Sequence, residues 1–419
     1  MHRVVITGLG CVTPIGSTIE AFRASLFSGT TGLAPFSTLP DVDLPLHLRF
    51  TEMGQVADFD PSTELSSGTI SAADRTAQFA LIAARQANRQ SQLMQHHAGH
   101  RTAIVLGCSV GGRTSDESEV AKLYARNGRV HPLSVVRIMS NAGASHVSID
   151  LGITGPVLTL STACASGTHA LGMAFHMIRS GMVDAAVAGG HEAPLSFGFL
   201  RAWDSMRVVS PTRCRPFSAD RDGMSLGEGA AILTLETLSS AEARNAPIFA
   251  EIVGFGMSAD AHHITNPAST GAAAAMQSAL ADVLQIDPIT APGTADYEGL
   301  LDEVGYINAH GTGTQANDST EAAAIHQVFG PRAAAIPVSS TKPLHGHSIG
   351  ATGAIEALAT VLALHHHQLP ATAGITTVDP TLNLDVITGG PRPASPQLVL
   401  SNSLAFGGIN AVLALRPAP

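Results

Sequence analysis

Short apolar runs alternate with longer, alanine-rich stretches along the 419 residues of the chain. Val4–Thr7, Thr102–Leu106, Val157–Leu160, Ala185–Ala188, Ile232–Leu235, Ala250–Val253, Val304–Ile307 and Leu398–Leu400 have the length and composition of buried strands. Helices are predicted over Ala72–Gln90, Ser166–Arg179, Ala272–Val283, Ser319–Val328 and Gly350–His366. Strands alternating with helices predict an α/β fold, a mostly parallel sheet covered on both faces.

The pattern also repeats. The opening Val4-Val5-Ile6-Thr7-Gly8-Leu9-Gly10 is echoed by Glu251-Ile252-Val253-Gly254-Phe255-Gly256-Met257. A strand entering a Ser/Thr-rich turn and then a glycine-bearing helix occurs at Thr159–Gly172 and again at Val338–Gly353. This predicts two similar halves, 1–250 and 251–419, each contributing one sheet and one functional turn. No low-complexity linker separates them, so they are expected to pack as one body. His365-His366-His367 suggests a metal at first glance, but adjacent helical residues point in different directions, and the run reads as a solvated or interface segment.

Composition narrows the function. Hydrophobic residues are 45% of the chain and charged residues 13%, with 41 glycines, which suits tightly packed layers and excludes disorder. The net charge of −10 offers no footprint for nucleic acid. No apolar run is long enough to span a bilayer, and the apolar start is too brief for a signal peptide, so the cytoplasm is the expected location. Cys11, Cys108, Cys164 and Cys214 are too sparse for a disulfide scaffold and lack CxxC metal spacing.

Three turns carry chemistry. In Thr159-Leu160-Ser161-Thr162-Ala163-Cys164-Ala165-Ser166-Gly167, a strand ends in small residues and a helix begins near Cys164. A thiol there faces unpaired amides and the positive end of the helix dipole, both favouring thiolate; the same cysteine also fits a buried structural role. Asn308-Ala309-His310-Gly311-Thr312-Gly313-Thr314 places a histidine among small residues and two hydroxyls. Ser339-Ser340-Thr341-Lys342-Pro343-Leu344-His345-Gly346-His347 holds one of only two lysines in the chain, the other being Lys122. A compact ammonium retained in an arginine-biased chain suggests a specific need. Its acidic partner is sought in Asn317-Asp318-Ser319-Thr320-Glu321, where acids could equally serve the helix dipole.

Together these segments resemble the elongating β-ketoacyl-acyl carrier protein synthases. Thr-Ala-Cys-x-Ser-Gly, His-Gly-Thr-x-Thr and Lys-x-x-x-Gly-His-x-x-Gly-Ala-x-Gly occur in order, the last as Lys342 through His347, Gly350 and Gly353. Asn402-Ser403-Leu404-Ala405-Phe406-Gly407-Gly408-Ile409-Asn410 matches a fourth signature, and Arg215–Phe217, Arg221–Gly223 and Gly227–Gly229 also fit. The resemblance covers essentially the whole chain. It implies the thiolase fold, two similar halves in a five-layered α-β-α-β-α sandwich, usually dimeric, with an acyl carrier protein as partner and no metal or redox cofactor. It assigns acyl transfer to Cys164 and malonyl decarboxylation to His310 and His347. It places the oxyanion hole at the amides of Cys164 and Phe406, with Phe406 as acyl gate. Thr312 and Thr314 match pantetheine-binding threonines, and Lys342 with Asp318 or Glu321 matches the supporting charges. No cysteine follows Cys214, unlike thiolases; His347 stands where CoA-primed synthases have asparagine; Cys164 is lacking in chain-length factors, the alternative reading.

The departures are informative. The stretch Ser66–Ala73 carries no positive charge where fatty-acid synthases often have a basic cluster, leaving Arg129 and Arg201 as carrier-docking candidates. Leu404-Ala405 replaces Phe-Gly in the gate signature, and alanine predicts a stiffer gate. Asp74–Ala80 resembles polyketide ketosynthases, which points toward a polyketide or polyene pathway and a homodimer or a heterodimer with a chain-length-factor-like subunit.

Overall fold

The computed structural model describes residues 1–36 and 47–419. Its principal sheet contains β1 (Val4–Val12), β2 (Thr102–Gly107), β3 (Val157–Leu160), β4 (Ala185–Glu192), β5 (Gly229–Thr237), β6 (Ala250–Ala259), β7 (Val304–Asn308), β8 (Pro337–Ser339), β9 (Leu398–Ala405) and β10 (Ile409–Pro417), with Asp385–Val386 at one edge. The order β3-β2-β4-β5-β1 is followed in the second set by β8-β7-β9-β10-β6. Corresponding neighbours also match in direction: β2 is parallel to β3 and β4, as β7 is to β8 and β9, while β4–β5 and β9–β10 are antiparallel. The two sets meet where Val4–Ile6 of β1 pairs antiparallel with Ala250–Ile252 of β6.

The sheet is therefore mixed rather than mostly parallel. The residues Phe406–Gly408 link β9 directly to β10, and a connection that short can only join antiparallel neighbours. Counting strand–helix alternation overlooks this hairpin, and β10 is absent from the expected strands for the same reason.

Strand periodicity divides the core into three apolar compartments. On β2, Ala103 and Val105 face the centre while Ile104 and Leu106 face outward; on β10, Leu413 and Leu415 face the centre while Val412 and Ala414 face outward. The central compartment holds α3 (Ser166–Arg179) and α6 (Thr352–His366) between the sheets. The outer compartments are closed by α1 (Arg75–Ser91) with Ala142–Leu151 on one side, and by α4 (Ser269–Leu284) and α5 (Gln315–Phe329) on the other. The result is the expected five-layered thiolase fold. Because both faces of most strands are buried, the sequence shows continuous apolar runs instead of alternation.

In α6 every residue from Thr352 to Leu364 is buried, as a helix enclosed by protein requires. Its approach to α3 depends on Gly353, where a Cβ would lie 2.0 Å from Thr168 Oγ1 and 2.8 Å from Ser403 Oγ. Those two hydroxyls are themselves hydrogen-bonded at 2.7 Å. Gly353→Ala is expected to destabilise the protein by about 1–3 kcal/mol through overpacking. Gly299→Ala, on a helix with nothing within 4 Å of the added methyl, should instead stabilise by about 0.4–1 kcal/mol. Thermal or denaturant unfolding of the two variants checks the contrast.

Candidate active site

The first turn is a strained elbow. Between β3 and α3, Ala163 adopts the left-handed region at φ +50°, a conformation that costs a non-glycine residue roughly 1–2 kcal/mol. The strain is held by hydrogen bonds: Ser166 Oγ accepts from Thr162 N at 2.9 Å and donates to Ala163 O at 2.6 Å, and Ser109 Oγ donates to the same carbonyl at 2.9 Å. The turn presents Cys164, 5% exposed, just before the start of α3.

Helix position alone suggested a thiolate; the structure reverses that balance. Burial pushes the Cys164 thiol up to about 11, against the opposing pull of the Lys342 charge and of the backbone amides of Phe406 and Cys164. The nucleophile is therefore a neutral thiol near pH 7, and it needs a base. His347 Nε2 lies 3.1 Å from Cys164 Sγ. Its Nδ1 is 2.8 Å from Thr352 Oγ1, a hydroxyl able to donate or accept, so either ring tautomer is satisfied.

His310 follows β7. The Lys342 ammonium lies 3.3 Å from its Nδ1 and also bonds its carbonyl. A charged ammonium can only donate, which leaves the proton on His310 Nε2, facing the site. The two imidazoles stand nearly perpendicular with centroids 5.4 Å apart, and one donor atom from each of Cys164, His310 and His347 falls within 4.8 Å of the others. Burial, with Lys342 close by, holds both histidines well below their ordinary range, so both are neutral. A cysteine and two imidazoles are also a donor set for a soft cation, but Lys342 already places a positive charge directly behind His310, which disfavours one.

The partner of Lys342 is a correction. Its ammonium pairs with Glu356 of α6, and both side chains are fully buried. Asp318 and Glu321 instead fasten the His310 turn by its backbone. Glu321 accepts the amides of His310 and Gly311, each at 2.8 Å, and Asp318 accepts those of Thr312 at 3.1 Å, Gly313 at 3.2 Å and Phe217 at 2.8 Å. A carboxylate inside an otherwise apolar helix was the available signal for Glu356, because such a group is buried only with a partner.

Thr312 and Thr314 share a hydroxyl contact of 2.9 Å and line a cavity of about 100 Å³ with Cys164, both histidines and Phe406. His263 also borders it, unsignalled by any motif. Phe406 occupies the β9–β10 turn with its ring stacked on Trp203. Leu404 and Ala405 are buried strand residues paired with Asn410 and Ile409, so alanine fits an ordinary extended position; the left-handed positions are Gly407 at φ +86° and Gly408 at φ +69°. Arg129 and Arg201 are exposed and outside the cavity lining, Arg201 donating to the carbonyl of His47.

Residues 1–241 match the family model described as Beta-ketoacyl synthase, N-terminal domain, and residues 249–376 match Beta-ketoacyl synthase, C-terminal domain. The chain belongs to the β-ketoacyl synthase family. This synthase is 38% identical over 418 residues to Nodulation protein E of Rhizobium sp. (strain N33), covering 99% of each chain. It is 36% identical over 423 residues to 3-oxoacyl-[acyl-carrier-protein] synthase 2 of Staphylococcus aureus (strain COL), covering 99% of this chain and 98% of that one. A chain of the ishigamide ketosynthase/chain length factor structure superposes with a TM-score of 0.91 at 33% identity, covering 100% of both. With its cysteine and both histidines assembled, this chain is a condensing enzyme of that family.

The Lys342 charge is the strongest opposition to the rise of the synthase's thiol. Lys342→Met should therefore move the Cys164 titration upward, each unit cutting the thiolate fraction about tenfold at a given pH below it. The pH dependence of Cys164 alkylation, followed by intact mass, reads this directly.

Proposed function

We propose that this synthase extends an acyl chain by decarboxylative condensation with a malonyl group carried on an acyl carrier protein. The distance of 3.1 Å between Cys164 Sγ and His347 Nε2 carries the reading. In the first step the sulfur attacks the acyl thioester of the carrier while His347 takes the thiol proton. The carrier thiol leaves and recovers that proton, and the acyl group stays on Cys164. The amides of Cys164 and Phe406, which act on Sγ, are suited to stabilising the tetrahedral oxyanion.

In the second step the malonyl thioester carbonyl accepts hydrogen bonds from Nε2 of His310 and from Nε2 of His347, whose ring proton has moved from Nδ1 to Nε2 while the Thr352 hydroxyl turns from acceptor to donor at Nδ1. Loss of carbon dioxide leaves its electron pair as an enolate, whose oxygen these donors stabilise. The enolate carbon attacks the Cys164 thioester, the carbon–sulfur bond breaks, the departing Cys164 thiolate takes up one proton supplied by solvent, and a 3-oxoacyl thioester departs. The sequence balances without an oxidant, a reductant or a metal. Thr312 and Thr314 are suited to the pantetheine arm at the cavity wall, Phe406 to gating the acyl side, and Arg129 and Arg201 to docking the carrier. Residues 1–250 form the half that brings the nucleophile, and 251–419 the half that brings both histidines.

A partner subunit of the same fold completes the assembly. The edge strand β3 leaves Val157 and Leu158 exposed, and Tyr124 of α2 (Arg113–Arg126) with Val135, Val136 and Met139 adds further exposed apolar surface. An uncovered apolar edge is an aggregation hazard that a partner removes. The kinship with the ishigamide ketosynthase/chain length factor favours a chain-length-factor-like partner, and the Asp74–Ala80 segment favours a polyketide or polyene pathway. Among the described residues no helix is long and apolar enough to cross a membrane, and we place the enzyme in the cytoplasm.

Incubation with acyl- and malonyl-carrier protein should release carbon dioxide and yield a 3-oxoacyl thioester. Cys164→Ala should abolish the acyl-enzyme seen by mass spectrometry, and His310→Ala should lower turnover by about 10²–10³. A folded wild-type protein with its native partner that yields neither product would overturn the proposal.

A further inference from the structure

Trp203 is the chain's single tryptophan, carried on the helix Phe197–Met206 and 8% exposed. Its ring stacks on Phe406 with centroids 5.9 Å apart and planes at 22°. The pair sits in an apolar cluster with Leu195, Leu200, Met224 and Ile349. Ile349 lies two residues beyond His347, is 4% exposed and has φ +45°, a conformation unusual for a β-branched residue. One aromatic side chain thus packs in the same cluster as the turn bearing Phe406 and the turn bearing His347.

The stack has a consequence for the oxyanion site. Phe406–Gly408 is the whole connection between β9 and β10, and its backbone is fastened where Gly407 N donates to Ile264 O at 2.8 Å and Gly408 N to Ala405 O at 3.0 Å. The glycines at φ +86° and +69° set the tight turn, while the orientation of the ring is left to its side-chain torsions and its packing. Packing against Trp203 holds the ring beside the turn whose amide reaches Cys164.

We infer that Trp203 is the positioning residue of the gate: its indole latches the Phe406 ring, and through Ile349 steadies the His347 turn, until an acyl chain entering at Cys164 parts the two rings. The inference rests on the gating role of Phe406 proposed above. It differs from that proposal in naming the surface on which the gate closes, a helix of the first half acting on a hairpin of the second.

The lone tryptophan makes the latch observable in the native protein. Wild-type enzyme labelled on Cys164 with cerulenin, a cysteine-directed probe that bears an acyl-like tail and needs no carrier protein, is confirmed by intact mass and its fluorescence recorded. The expected result is a red shift of tryptophan emission, absent in Phe406→Ala. In unlabelled enzyme, Trp203→Leu should speed alkylation of Cys164 several-fold and lower kcat more than it raises KM, with Trp203→Phe restoring both. Complete Cys164 labelling with unchanged emission overturns the latch, whether or not the leucine variant folds. Failure of condensation with carrier substrates, in a protein whose emission does shift, overturns the proposed reaction and leaves the latch standing.

Discussion

The buried ammonium of Lys342 is the charge around which this site is organised. It touches Glu356 in the central helix and both the ring and the carbonyl of His310. Removing a charge from water to such depth costs several kcal/mol unless it is paired and fully hydrogen-bonded, which Lys342 is. Its charge acts three ways: it directs the proton of His310 to Nε2, adds to the burial that keeps both imidazoles neutral, and draws the Cys164 thiol back toward reactivity against its burial. An arginine could not replace it, because its planar fork is too large for a point contact shared by a ring nitrogen, a carbonyl and a carboxylate.

The repeated topology explains why that charge can act on the nucleophile at all. Each set of strands delivers its functional turn to the central layer, the first through α3 and the second through α6, and the two helices meet across Gly353. The carboxylate that neutralises Lys342 belongs to α6 itself, and Thr352, which partners His347, opens the same helix. One buried helix therefore fixes both histidines, one through a lysine and one through a hydroxyl.

Chemistry confined to short contiguous motifs was legible in the sequence: Cys164, His310, His347 and Lys342 are each marked by their neighbours and do converge. The fold class was legible too, since strand and helix periods survive in the apolar pattern. What escaped was relational. Asp318 and Glu321 looked suited to Lys342 because they follow His310 closely, yet proximity along the chain placed them under the backbone of the turn, while Glu356 reaches the lysine from the next helix. The antiparallel hairpin at Phe406 was read as a motif and so not as a connection. Trp203 carried no signal, because an aromatic residue on a helix says nothing of which ring it will meet.

The raised Cys164 thiol is better understood as a feature of the dry site than as a defect of the nucleophile. A thiolate stabilised at rest would need water or a permanent counter-charge, and either would weaken the donors that must later hold the enolate oxygen. Keeping the sulfur neutral beside an uncharged imidazole leaves the Lys342 ammonium as the positive charge behind the site, paired with Glu356, a carboxyl that burial pushes up to about 7. In the proposed reaction, charge then develops only on reacting atoms, close to His310, His347 and the amides of Cys164 and Phe406. Preorganisation of this kind requires the turn that carries the Phe406 amide to stay in place when the charge forms, so the hydrogen bonds and packing that hold that turn matter alongside the histidines.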